Sequence, residues 1–151
     1  MFYIIAQMKC KIISGEKRAD SRGMVSFVNN FTFEKVKRFY QVESKNNSII
    51  RAFHGHMKEG KYAYVTAGKM LLCAVYLDVK NKPSKKNKVE RFILSSDKPQ
   101  ILFIPPRHAN GFKSLKARSK VIFFSTSSLK ESLRDDYRFP YDYWGKEVWK
   151  T

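Results

Sequence analysis

A chain of 151 residues that is 43% hydrophobic and 15% aromatic holds enough apolar material for one folded domain and too much for a disordered one. Its net charge of +17 attracts polyanions, which admits phosphorylated small molecules as well as nucleic acid. No apolar run is long enough to span a bilayer. Two cysteines, Cys10 and Cys73, cannot form a disulfide framework and read as core thiols of a cytoplasmic protein.

The first residues, Met1 to Ala6, lack a basic leader and a small-residue cleavage site, so they read as a first strand. Residues 24–28 and 36–42 are rich in β-branched and aromatic side chains and predict two more strands. A polar turn at Ser44-Lys45-Asn46-Asn47 precedes a strand over 48–54. Residues 62–66 lead through Ala67-Gly68-Lys69 into 70–77, a run apolar enough to be buried on both faces. The lysine-rich run from Lys80 to Lys88 carries Pro83 and no aromatics, so it reads as a solvated loop and not as a base-stacking surface. Strands over 89–94, 101–104, 111–115 and 120–126 follow, with Pro105-Pro106 closing one of them. Only Ser127 to Asp136 could be helical, and Ser128 to Arg134 would make barely two turns. The aromatic tail Tyr137 to Trp144 is expected to pack across a barrel mouth. Short strands spaced by turn signals at about 8–12 residues predict one all-β domain over 1–151, a sandwich or barrel.

The segment Arg51-Ala52-Phe53-His54-Gly55-His56 carries two of the three histidines. Strand alternation puts His54 and His56 on one face and starts Arg51 on the other. Three chemistries suit the set. A metal pair would recruit Glu59 and His108, which follows Pro105-Pro106. A general base would use one histidine with an orienting carboxylate, for which Asp142 in the aromatic tail is the candidate. An anion clamp would use Arg51 and Arg22, with Lys61 adding a point charge.

The order of motifs resembles the dTDP-4-dehydrorhamnose 3,5-epimerases, sugar-nucleotide enzymes built on a cupin-type jelly roll. Asp20-Ser21-Arg22-Gly23 is similar to their Asp-x-Arg-Gly opening. Phe39-Tyr40-Gln41 through Arg51-Ala52-Phe53-His54 resembles the strand pair that ends in Arg-Gly-Leu-His. Gly60-Lys61, Thr66-Ala67-Gly68 and Ala74-Val75-Tyr76-Leu77 resemble the following hairpin. Ile104-Pro105-Pro106-Arg107-His108-Ala109-Asn110-Gly111-Phe112 is similar to Ile-Pro-x-x-x-Ala-His-Gly-Phe. The resemblance implies a cofactor-free and metal-free reaction on a nucleoside-diphosphate 4-keto-6-deoxyhexose, in deoxysugar and surface-polysaccharide biosynthesis. It implies His54 as the base, Asp142 as its carboxylate and Lys61 as the enolate's partner. Arg51 and Arg22 would hold the diphosphate, Arg22 reaching across a homodimer made by exchanged N-terminal strands. Gln41, Asn110, His108 and Phe123 are expected beside the substrate.

The departures fall on the reaction's second half. Phe123 stands where the family has a proton-donating tyrosine, and Asn110 where it has a histidine. Tyr76 replaces an aspartate and, with His108, is a candidate donor. His56 replaces a glutamine and makes the segment similar to the Arg-Gly-x-His-x-His of the nucleotide-sugar 3,4-ketoisomerases. Epimerisation is the expected activity, with ketoisomerisation and non-catalytic sugar-nucleotide binding as alternatives. Neither a membrane nor a nucleic acid is expected as a partner.

Overall fold

A computed structural model describes residues 7–151. The expected strand at the extreme N-terminus lies outside these residues. Twelve strands dominate, in the order β1 (Lys11–Ser14), β2 (Glu16–Asp20), β3 (Gly23–Phe27), β4 (Arg38–Glu43), β5 (Ile50–His56), β6 (Lys61–Ala67), β7 (Lys69–Tyr76), β8 (Val89–Ser95), β9 (Gln100–Ile104), β10 (His108–Ser114), β11 (Lys120–Ser125) and β12 (Tyr137–Arg138). One short helix, α1 (Leu129–Leu133), sits between β11 and β12. Its N-terminus is closed by a capping box, in which Ser128 accepts from the Glu131 amide and Glu131 accepts from the Ser128 amide. No helix among the described residues is long and apolar enough to cross a membrane.

Two five-stranded antiparallel sheets, β1-β9-β6-β11-β4 and β12-β5-β10-β7-β8, face each other as a jelly roll, and β2-β3 forms a separate hairpin. Strand β7 shows why. Its Met70, Leu72 and Ala74 join the core between the sheets, where Ala63, Leu102, Val121 and Phe123 meet them. Its Leu71, Cys73 and Val75 point outward and are equally buried, as the unbroken apolar run predicts. Those outward residues need a cover, and the aromatic tail supplies it. Trp144 and Trp149 pack on Phe53, with ring centroids 4.9 and 5.3 Å away. The tail therefore lies on the outer face of the second sheet and does not close the barrel mouth, because an apolar sheet face must be buried.

The basic loop after β7 is tied down. Asp78 accepts from the Ser84 amide and Asn87 Nδ2, while Tyr143 and Trp144 donate to the Pro83 and Ser84 carbonyls. The turn between β6 and β7 requires glycine at Gly68, where φ is +75° and a Cβ would stand 2.2 Å from Ser119 Oγ. The hairpin β2-β3 makes no sheet contact with the barrel, and Met24 and Val25 on it are exposed.

Candidate active site

The open part of the barrel interior is a cavity of about 240 Å³, lined by Tyr40, Arg51, His54, Lys61, Asn110 and Phe123, with Val42 and Phe112 below. Both sheets contribute. Strand β5 brings Arg51 and His54, and β10 places Asn110 directly opposite His54. From the other sheet come Lys61 on β6, Phe123 on β11 and Tyr40 on β4, with Phe123 paired to both Ala63 and Tyr40. A larger recess, about 390 Å³, lies on the outer face of the first sheet. Its lining, which includes Phe31, Tyr62 and Phe103 with Lys11 and Lys35, holds no histidine and no carboxylate.

Arg51 and His54 line the same cavity, contrary to the alternation expected from the sequence. The cause is a bulge. Asn110 pairs with His54 and Phe112 with Arg51, so Ala52 and Phe53 together oppose the single residue Gly111. The extra residue turns Arg51 inward. It also brings Ala52 so close that a Cβ on Gly111 would sit 2.3 Å from the Ala52 Cβ, which is why β10 carries glycine there.

The electrostatics favour a neutral histidine beside a cation. Burial holds the His54 imidazole below its ordinary range, and the charges of Arg138 and Lys61 push the same way. His54 is therefore an unprotonated base at neutral pH. Lys61 is 6% exposed. Its Nζ lies 5.9 Å from the ring centroids of Tyr40 and Phe123, and among the described residues no carboxylate comes within 4 Å of it. An ammonium held among aromatic rings with no counter-ion is suited to an oxyanion that forms nearby.

Behind this cavity runs a buried polar network. His56 Nδ1 meets the Asp135 carbonyl oxygen at 2.5 Å and lies 3.1 Å from the Glu59 carboxylate. With Nδ1 carrying the proton toward these acceptors, Nε2 is left as a buried acceptor without a partner. Glu59 also accepts from Ser132 Oγ at 2.9 Å, from Ser125 Oγ and from Arg38 at 3.4 Å. The Asp135 carboxylate in turn accepts from the backbone amides of Met57, Lys58 and Glu59, which fixes the turn after β5. Burial and the Lys61 charge lower the His56 imidazole as well, with Glu59 opposing them.

Five expected residues lie elsewhere in this chain. Gln41 is exposed on the outer face of β4, because alternation on that strand sends Tyr40 and Val42 inward instead. Asp142 is exposed in the turn of the aromatic tail, since the tail runs over the outside of the second sheet. The carboxylate whose charge acts on His54 is Asp136. Arg22 is exposed at the tip of the β2-β3 hairpin, paired with Asp20 at 2.7 Å. Tyr76 and His108 stack edge to face at 5.7 Å, His108 paired to His56 across the ladder but outside the cavity lining, and Tyr76 lines a different recess. Tyr40 and the Glu59–His56 pairing were missed in the sequence. The signal for Tyr40 was its parity with Val42 on β4, and for Glu59 its position three residues after His56.

The dTDP-4-dehydrorhamnose 3,5-epimerase family model matches residues 7–138. The chain belongs to that family. The match stops short of the tail that holds Asp142, where family correspondence gives no support. A curated relative, the spore coat polysaccharide biosynthesis protein SpsL of Bacillus subtilis, is 25% identical over 129 residues, covering 83% of this chain and 84% of the relative. The crystal structure of the family's epimerase from Sulfolobus tokodaii superposes with a TM-score of 0.72 at 25% identity, covering 91% of this chain and 81% of that one. A 3,4-ketoisomerase from Helicobacter canadensis shares the fold, with a TM-score of 0.68 at 16% identity over 94% of this chain and 98% of that one.

Proposed function

We propose that this family member is a dTDP-deoxysugar epimerase of polysaccharide biosynthesis, acting on a 4-keto-6-deoxyhexose joined to deoxythymidine diphosphate. The observation that carries the reading is the convergence of His54, Lys61 and Arg51 on one interior cavity. His54 removes the proton at C3, next to the ketone, and the electron pair moves onto the C4 oxygen. Lys61 holds that oxyanion, which lowers the barrier because the charge it meets appears only as the proton leaves. Arg51 at the cavity rim grips the diphosphate with its planar fork. The charge of Asp136 would support the imidazolium that forms, against the opposing charge of Arg138, with which it pairs at 3.1 Å.

The second protonation follows one of two routes. Inversion at C3 needs a donor on the opposite face, and Phe123 cannot be that donor. Ketoisomerisation instead returns the proton to C4 on the face it left. His56, on the same face of β5 as His54 with its Nε2 unpartnered in the network behind the cavity, is the observation that keeps this second reading open. Non-catalytic binding is the reading without either step.

The exposed Met24 and Val25 on β2-β3, with Phe33 in the loop before β4 and Phe39 on β4, support a homodimer in which this hairpin crosses to the partner. Arg22 would then complete the diphosphate site of the other subunit.

Incubation of the dTDP-4-keto sugar in deuterated water tests the reading. Deuterium at C3 with an inverted centre is the result expected. Deuterium at C4 with a 3-keto product assigns the ketoisomerase reaction. Equal exchange with wild type and His54→Asn, or none with either, overturns catalysis by His54.

A further inference from the structure

Outside the residues that line the His54 cavity, Cys10, Glu90 and His108 bring a sulfur, a carboxylate oxygen and a ring nitrogen to within 4.8 Å of one another, with His108 paired across the ladder to His56. The three come from different elements. Cys10 immediately precedes β1, at the edge of the first sheet, while Glu90 is on β8 at the edge of the second and His108 is on β10. They meet at the seam where the two sheets adjoin.

His108 is 2% exposed. Its Nδ1 is engaged by the Pro106 carbonyl at 3.0 Å, while its Nε2 is buried with no hydrogen-bond partner. A proton on Nδ1 leaves a lone pair on Nε2, and a backbone carbonyl on the distal nitrogen is how metal-ligating histidines are held in orientation. A buried acceptor without a donor is costly, and a cation relieves that cost.

We propose that Cys10, Glu90 and His108 form a binding site for a borderline-soft divalent cation of the zinc class, clipping the two sheets together. The donor set decides the class, since a thiolate and an imidazole beside one carboxylate select zinc-like ions over magnesium or calcium. Bond lengths of about 2.0–2.3 Å put tetrahedral ligands roughly 3.6 Å apart, so the side chains need close by only about 1 Å. Thiolate and carboxylate together offset the dication. That balance matters because Lys9 and Lys88 line the adjoining recess with Tyr76, and they would oppose an unbalanced charge. The thiol must lose its proton on binding. Binding therefore strengthens as pH rises. The site shares no residue with the His54 cavity, and the proposed enolisation does not involve it.

The test is titration of tag-free protein with Zn²⁺ against a chromophoric chelator, and with Co²⁺ followed by absorption. One equivalent per chain, a thiolate-to-cobalt charge-transfer band and a zinc-dependent rise in Tm are expected. Cys10→Ser and His108→Gln should each weaken binding at least tenfold and remove the Tm rise, with circular dichroism confirming that they fold. Cys73→Ser should change nothing. No stoichiometric binding, no charge-transfer band, or retention of both in folded Cys10→Ser overturns the proposal. Loss of epimerase activity in wild type would leave these readouts unaffected, so the two readings fail separately.

Discussion

His56 and Glu59 face each other at 3.1 Å inside the protein, the carboxylate wholly buried and the imidazole nearly so. The pair is the centre of the buried polar network, with Arg38, Ser125 and Ser132 closing around the same carboxylate. Glu59→Gln keeps the shape and removes the charge opposite Arg38. Stability should fall by about 1–3 kcal/mol, since the half-buried Arg38 and the Ser125 and Ser132 hydroxyls lose a charged acceptor. Urea unfolding measures this, and a change below about 0.5 kcal/mol, the size of an ordinary surface substitution, would show the network to be dispensable.

Acid should destabilise the fold early. His54, His56 and His108 are all held below the ordinary value of 6.5, in each case first by burial. The unfolded chain therefore binds protons at a higher pH than the folded one. Stability is complete above pH 6.5 and is lost as pH falls from there through the lower folded values. Urea midpoints should drop steadily below pH 6.5. Replacing His56 with Gln should flatten part of that slope, and an unchanged slope would remove it from the account.

Restoring the hydroxyl tests the departure at Phe123. Its ring stacks on Tyr40 at 5.3 Å and is 2% exposed, with Lys61 nearby. Phe123→Tyr should raise the share of product inverted at C3 while costing no more than about 1–3 kcal/mol for the added buried hydroxyl. Product analysis by NMR decides, and an unchanged product ratio means the donor lies elsewhere.

The proposed sharing of Arg22 between subunits predicts complementation. Arg22→Ala and His54→Asn should each be nearly inactive alone. Mixed and re-formed as hetero-dimers, they should recover up to about a quarter of wild-type activity, because one site in each mixed dimer has both groups intact. Recovery at background level would place Arg22 outside the site.

Much of the fold could be read from the sequence, because several strands carry their own signature. β7 is apolar on both faces, and Pro105-Pro106 stops β9 where the pattern breaks. β1 and β2 went unread. They are short and charged, and edge strands need little hydrophobic alternation. Within the site, His54, Lys61, Arg51, Asn110 and Phe123 were named by the family resemblance, and all five line the cavity. Alternation alone put Arg51 on the wrong face, because it assumes one residue opposite one, and a bulge violates that silently. Asp142 lies away from the cavity for a different reason. Where an aromatic tail runs is decided by which sheet face lacks a cover, and no local pattern in the tail records it.

The two-against-one pairing at Ala52 and Phe53 has a bearing on how such a protein can change over generations. One strand can thereby aim an arginine and a histidine three positions apart into the same cavity, which strict alternation forbids. Loss of a single residue there would turn Arg51 outward, so the aim of the rim rests on chain length at that point and not on which side chains fill it.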